Sequence, residues 1–289
     1  MNQRSHTQIP NLGDIKVSVL IKTKIIPLHS SQRFPNKTVT MSSSSSTTTF
    51  VVGATGATGK YVVQYLLDQG QNVKVVCRSV EKMKSLLTTS SYGERLQITE
   101  ASISQVSDQD LEKLTQDCTH VVSCLGHNMT LAGMFGREDR RLVTDAVTRL
   151  TKVMPPSAKF ILMGTAGVTV PTDEPRSMVD RTILFFCRTL LPPHCDNEET
   201  AAHFLKLQSP EWCMVRPTNL RDGEPQKHVL YSTPPGGLFA ADAIVTRSTV
   251  AKFMVNLILD SSLFQTFKYQ SPLIYDDPSV LTTESAKTK

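Results

Sequence analysis

The sequence predicts an α/β fold: a doubly wound parallel sheet in a single domain, with a small C-terminal subregion on its substrate side. Three observations carry this reading. The β-branched pair Val51-Val52 runs straight into a glycine-rich turn. A helical pattern then follows, with Val62, Val63, Tyr65, Leu66 and Leu67, and it stops at Gly70. Further short apolar runs alternate with helical patterns down the chain, the arrangement that builds parallel sheets. With 39% hydrophobic and 20% charged residues the composition is that of an ordinary globular protein. No apolar run approaches the roughly 20 residues of a membrane span.

The turn reads Gly53-Ala54-Thr55-Gly56-Ala57-Thr58-Gly59. Strand, tight turn and helix together are the context that a dinucleotide-binding (Rossmann) fingerprint requires. Gly53 lets the chain turn out of the strand. Gly56 removes a side chain where backbone must approach a diphosphate. Gly59 allows the helix to pack closely on the sheet. The N–H groups of Thr55, Ala57 and Thr58 are expected near the phosphates, with the helix dipole favouring their charge. The spacing is G-x-x-G-x-x-G rather than G-x-G-x-x-G.

The second strand, Asn72 to Cys77, ends in Arg78-Ser79. An acid at this position binds the free 2′-hydroxyl of NAD, whereas an arginine offers a planar charged fork to the 2′-phosphate of NADP. Arg78 therefore points to NADP. A helix over 80–87, a strand over 95–100 and a helix over 108–116 follow. The next strand, Thr119 to Cys124, opens into Leu125-Gly126-His127-Asn128. Ligands of doubly wound sheets bind beyond the carboxyl ends of the strands. Leu125 and Gly126 are accordingly expected beside the cofactor, with His127 and Asn128 as polar groups at the mouth.

A helix over 136–153 covers the sheet, and strand Lys159 to Met163 opens into Gly164-Thr165-Ala166-Gly167. Prolines 171, 175, 192 and 193 bracket an apolar helix, Met178 to Leu191, readable as a lid over the cleft or as a helix docked on the core. A helix over 197–207, strand Glu211 to Val215, a strand pair near His228 to Tyr231 and Ala243 to Val245, a helix over 248–259 and a strand over 267–270 complete the body.

The net charge of +5 is local. Residues 1–49 hold six basic residues and one acid, and the remainder balances at 25 of each, which argues against nucleic-acid binding. Residues 1–48 are basic, acid-poor and end in a Ser/Thr run. A transit segment, a disordered extension and a start at Met41 all fit them. The domain is placed at 49–276 and a flexible tail at 277–289. The six cysteines form no C-x-x-C pair and no zinc spacing, so no metal site is expected. Cys77, Cys124 and Cys213 fall in expected strands as small apolar residues, which suits a reducing compartment. The cytoplasm is the leading location, with plastid or mitochondrion the alternative if 1–48 is a transit segment. Oligomeric state is not legible.

From Thr49 to about Tyr275 the order of motifs resembles the atypical short-chain dehydrogenases/reductases, and within them the NADPH-dependent flavin reductase/biliverdin-IXβ reductase group. The motifs are GATGATG, the arginine after strand two, V-S-C-L-G, M-G-T-A, the D-N-E-E helix start and W-C-M-V-R-P. The resemblance implies an NADPH site, with Thr165 facing the nicotinamide pocket as the leading catalytic side chain. It also implies that Arg216 and Pro217 fix the chain beside the nicotinamide. Relatives commonly carry an aspartate near strand three to meet the adenine, where this chain has Ser102. Ordinary short-chain dehydrogenases use Y-x-x-x-K, with tyrosine as general acid. At the expected place this chain reads Asp196-Asn197-Glu198-Glu199-Thr200-Ala201, without that pair. The resemblance thus leaves two readings: hydride transfer from NADPH to a flat conjugated acceptor such as a flavin or quinone, or an NADP(H)-sensing or assembly module without catalysis.

Overall fold

A computed structural model describes residues 47–277 apart from 89–91, 127–139, 191, 232–236 and 239–242. The N-terminal extension up to residue 46, His127, Asn128 and the tail beyond 277 lie outside the described residues. Strands β1 (Thr48–Val52), β2 (Asn72–Cys77), β3 (Leu96–Glu100), β4 (His120–Ser123), β5 (Lys159–Met163), β6 (Glu211–Pro217), β8 (His228–Tyr231) and β10 (Leu273–Asp276) form one sheet. Its order is β3-β2-β1-β4-β5-β6-β10-β8. All neighbours are parallel except β8, which runs antiparallel to β10 along the edge. The order reverses between β1 and β4, and this switch point is where such sheets bind ligands.

Helices cover both faces. On one side lie α1 (Gly59–Asp68), α7 (Arg247–Leu259) and α8 (Ser261–Phe267), whose Val62, Leu66, Met254 and Phe264 pack with Val51, Val122 and Ile161 of the strands. On the other lie α3 (Asp108–Thr115), α4 (Leu142–Val153) and α6 (Pro192–Phe204), contributing Leu111, Val147, Leu150 and Phe204 against Phe50, Val121 and Phe160. The alternation along β1, with Phe50 and Val52 on one face and Val51 on the other, follows from the two-residue period of a strand buried on both sides. Gly70 ends α1 at φ 73°, and Gln71 N–H bonds Leu66 O across it. Helix α2 (Val80–Ser85) sits beyond β2.

Four expectations are corrected. First, the helix expected over 197–207 begins at Pro192. Proline suits a first helical turn because its missing N–H has no partner there anyway. Pro192 and Pro193 therefore open this helix rather than merely closing the one before. Second, the helix expected from 136 starts, within the described residues, at Leu142. Third, the strand expected over 267–270 does not form: Phe267 ends a helix that starts at Ser261. Asp260 caps the turn, its Oδ1 accepting from Ser262 and Leu263 N–H at 2.9 and 3.1 Å. The last strand begins at Leu273, with Gln270 adding only an isolated bridge to Cys213. Fourth, the two strands near 228–231 and 243–245 do not pair with each other. β8 joins β10, while β9 (Ile244–Thr246) pairs in parallel with β7 (Asn219–Arg221). Parallel partners are chosen by sheet topology, and nearness in sequence does not select them.

A third, smaller cluster of Ala166, Leu184, Val229, Leu238, Ala243, Leu273 and Tyr275 forms the substrate-side subregion. It seats helix α5 (Met178–Leu190) by a narrow face of Leu184 and Asp180, leaving Met178, Val179, Phe185 and Phe186 exposed. The helix is docked on this cluster through Leu184. Among the described residues no helix is long and apolar enough to cross a membrane.

Candidate functional site

The glycine turn divides its labour as expected. Gly53 adopts φ 74°, and a Cβ there would meet Cys124 and Leu125 backbone atoms at 2.5 to 2.7 Å. A Cβ on Gly59 would come to 2.1 Å from Gly53 O, so α1 can close on the strand end only without a side chain. At Gly56 the nearest atom to a built Cβ is Gly53 O at 3.0 Å, with Cys124 O next at 3.9 Å. That side of the turn is open, whereas Gly53 and Gly59 face protein.

The turn leaves donors for a ligand. Gly56 N–H bonds Gly53 O, and Lys60 N–H bonds Gly56 O. Among the described residues the backbone N–H groups of Ala57, Thr58 and Gly59 find no such acceptor. Thr58, the residue before α1, makes no side-chain cap, and the first turn carries no acid. Unsatisfied N–H groups with the positive end of a helix dipole behind them fit a diphosphate. The residues present thus suit a dinucleotide cofactor.

After β2, Arg78 is exposed and has no ion-pair partner among the described residues. Ser79 is committed elsewhere, capping α2 by accepting from Lys82 N–H at 3.1 Å. Two carboxylates that the reading of β2 alone did not reveal lie close by. Glu81 accepts from Ser79 Oγ at 3.2 Å, and Glu100 at the end of β3 stands 3.4 Å from Val80 N–H. Ser102 Oγ lies 3.0 Å from Ser104 Oγ.

Leu125 and Gly126 follow β4 at the switch point. Among the described residues, a Cβ on Gly126 would meet no atom within 4 Å. Cys124 is fully packed, and burial pushes its thiol up to about 12. Among the described residues all six cysteines are free thiols.

The turn after β5 is tied to β6. Gly164 N–H bonds Val215 O at 2.8 Å, and Ala166 N–H bonds Pro217 O at 2.9 Å. Pro217 therefore fixes the height at which Thr165 leaves the sheet. Thr165 is half-buried, and its Oγ1 accepts from Gly167 N–H at 3.3 Å, which leaves its hydroxyl proton free to donate. Arg216 turns away from the mouth, fully buried. Its Nη1 and Nη2 grip Asp173 at 2.7 and 2.6 Å, and Nε and Nη1 donate to Ser271 O and Val168 O. It is a clamp for the loop that carries Thr165.

The segment expected to open a helix does something else. Asp196 is buried in the second turn of α6, where its two oxygens accept from Val143 and Thr144 N–H at 2.8 and 2.9 Å. It caps α4 from a distance of more than fifty residues in sequence. Glu199 pairs with Arg141, and Glu198 with Arg188 and His194. No tyrosine and no lysine occurs in α6. Sequence reasoning missed His194, in the first turn of α6, because the segment after Pro192-Pro193 read as loop. A methyl on Gly167 would meet its Cε1 at 3.3 Å. Buried Ser123 Oγ and Thr218 Oγ1 also stand at strand ends on this side without hydrogen-bond partners.

Comparison with known proteins agrees with this geometry. A family model described as NAD(P)H-binding matches residues 53–261. The chain is 39% identical over 77 residues to an uncharacterised chloroplastic protein of Arabidopsis thaliana, a match that covers 27% of this chain and 26% of that one. Solved structures share the fold at low identity. One is a candidate NADH-flavin reductase of Streptococcus pneumoniae, with TM-score 0.56 and 16% identity over 80% of this chain and 100% of the other. Another is an anaerobilin reductase of Escherichia coli O157:H7, with TM-score 0.56 and 14% identity over 80% and 97%. An oxidoreductase of Lactococcus lactis matches with TM-score 0.58 and 12% identity over 80% and 91%. With its glycine turn, switch point and sheet order, the chain belongs to the NAD(P)H-binding family and carries a Rossmann-like fold.

Proposed function

We propose that the protein is a reductase that uses NADPH to reduce a flat, conjugated acceptor such as a flavin or a quinone. The observation that carries this is the glycine cradle, whose Ala57, Thr58 and Gly59 N–H groups find no backbone acceptor among the described residues, together with a helix α6 that holds neither tyrosine nor lysine. A site of this kind binds a dinucleotide but lacks the tyrosine–lysine pair that ordinary short-chain dehydrogenases use on ketones and alcohols. The fold-level likeness to a candidate flavin reductase and an anaerobilin reductase supports the same choice of acceptor.

The nicotinamide, when bound, supplies the hydride. The chain's own residues bind and orient. Thr55, Ala57, Thr58 and Gly59 hold the diphosphate through backbone N–H groups, with Gly56 bare beside it and Gly53 shaping the turn. Arg78 takes the 2′-phosphate and so selects NADP over NAD. Leu125, Gly126 and Pro217 border the ribose and nicotinamide, and the Thr165 hydroxyl donates to the carboxamide or to an acceptor oxygen. Catalysis then consists mainly of holding donor and acceptor face to face. The substrate is a small molecule, and the balanced charge of residues 50–289 argues against nucleic acid. The cytoplasm was the leading location; the match to a chloroplastic protein favours the plastid alternative.

Mixing the protein with NADPH and a panel of flavins and quinones, and following loss of the absorbance of reduced nicotinamide, tests the reading. Turnover with a planar acceptor supports it, and none above background with any of them overturns it. A second reading, an NADP(H)-sensing module, draws support from the exposed Met178, Val179, Phe185 and Phe186 on α5, a surface suited to a partner. It requires tight cofactor binding, no turnover and a partner whose capture depends on the cofactor.

A further inference from the structure

The first turn of α6 lies against the turn after β5. A methyl built on Gly167 would meet His194 Cε1 at 3.3 Å, His194 Nδ1 at 3.5 Å and Thr165 Oγ1 at 3.7 Å. The imidazole edge and the threonine hydroxyl therefore border one space, on the side where the strands end. The other ring nitrogen, Nε2, is buried without a hydrogen bond and stands 3.4 Å from Glu198 Oε1, one helical turn on. Glu198 is itself held by Arg188, whose Nε donates to Oε2 at 2.7 Å and whose Nη2 contacts Oε1. Arg188, Glu198 and His194 thus form a chain that ends beside Thr165.

We propose that His194 is the catalytic acid of this site, passing a proton to the acceptor as it is reduced. The proposal rests on the reductase reading and names the group that stands in for the absent tyrosine and lysine. The balance is as follows. The acceptor gains a hydride from reduced nicotinamide. The electron pair displaced onto its terminal oxygen or nitrogen forms a bond to the proton while an N–H bond of the His194 imidazolium breaks. A neutral imidazole remains and takes its next proton from water.

The charged groups facing His194 set its strength as an acid. Burial lowers its pKa, Glu198 raises it, and Arg188 and Arg176 lower it, with a net shift downward. The cation is therefore a minor form at pH 7 and gives up its proton readily. Glu198 keeps that cation accessible by facing Nε2, and Arg188 keeps Glu198 in place. Glu198 is a positioning residue here.

Three proteins test this: the wild type, His194→Gln and Glu198→Gln, with His194→Asn as a second replacement should the glutamine fail to fold. With NADPH and menadione, the wild-type kcat is expected to rise as pH falls from 8 to 5. H194Q is expected to show a flat profile and a rate at pH 6 lower by a factor of ten or more, with NADP+ affinity within a factor of two of wild type. Independently of turnover, NMR titration of the histidine rings in the cofactor-free protein is expected to show the His194 resonance titrating below its ordinary value, and lower still in E198Q. A variant with the wild-type rate and profile, or a His194 resonance that ignores E198Q, overturns the proposal and leaves the reductase reading intact. A wild type that oxidises NADPH with none of the acceptors, while still binding it, overturns both.

Discussion

Arg216 and Asp173 meet in a bidentate pair at 2.6 and 2.7 Å, with both side chains 1% exposed. The arginine sits at the end of β6 and the aspartate in the loop after β5, so the pair fastens the loop that carries Thr165 to the sheet. Arg176 lines the same loop, donating to Ala166 O and Val168 O at 2.8 Å. Removing one member of a buried, hydrogen-bonded pair strands the other charge in a dry interior. Asp173→Ala is expected to lower unfolding free energy by about 3–5 kcal/mol. Urea unfolding measures it, and a loss below about 1 kcal/mol would place the pair among surface-like ion pairs.

The glycines of the first turn separate folding from binding. Gly59→Ala drives a methyl into Gly53 O at 2.1 Å, so α1 must lift from the sheet. That variant is expected to lose stability and cofactor binding together. Gly56→Ala brings its methyl to 3.0 Å from Gly53 O, a tight contact that a small backbone shift relieves, so folding should suffer far less than in Gly59→Ala. Its methyl occupies the space of the diphosphate, and cofactor affinity should fall at least tenfold, equivalent to about 1.4 kcal/mol. Thermal unfolding and cofactor titration on both variants distinguish the two effects.

Arg78 decides between cofactors. Arg78→Ala is expected to weaken NADP(H) binding by about 1.5–3 kcal/mol, the range for hydrogen bonds to charged groups, and to leave NAD(H) nearly unchanged. Equal losses for both cofactors in paired titrations would remove Arg78 from the 2′-phosphate role.

His120 makes stability depend on pH. It is buried at the start of β4 with Nε2 unpartnered, and burial together with Lys159 brings its pKa down from 6.5 to about 4. The folded form keeps the ring neutral while the unfolded chain takes up a proton below pH 6.5. Stability is therefore complete above pH 6.5 and falls as pH drops toward 4. His228 is shifted the same way, to about 4, beneath Lys252. From pH 7.5 to 5, His120 alone should cost about 2 kcal/mol, at 1.36 kcal/mol per pKa unit. Urea midpoints of wild type and His120→Gln at the two pH values check this, the variant showing the smaller drop.

Much of the fold was legible because its signals are local. The β1 turn, α1 and the bounds of β2 follow from β-branched runs, three glycines and a helical apolar stripe within thirty residues. The C-terminal third was harder. Asp260 both ends α7 and starts α8, and a single capping residue leaves no periodic trace. The partners of β8 and β9 are set by the edge of the sheet rather than by proximity. At the site, the glycine cradle was readable, but what surrounds it was assembled from distant segments. Asp173, His194 and Glu100 come from three separate stretches, and nothing in the local sequence of any one announces its neighbour. His194 was hidden further because two prolines before it read as a stop, whereas they begin a helix.

The account depends most on a dinucleotide seated against the N–H groups of Ala57, Thr58 and Gly59. Calorimetric titration of the purified protein with NADP+ tests this directly when run beside Gly56→Ala. One site per chain in the wild type, with affinity cut at least tenfold in a variant that remains folded, is the predicted result. No binding heat in the wild type, or equal affinity in the two proteins, would contradict it.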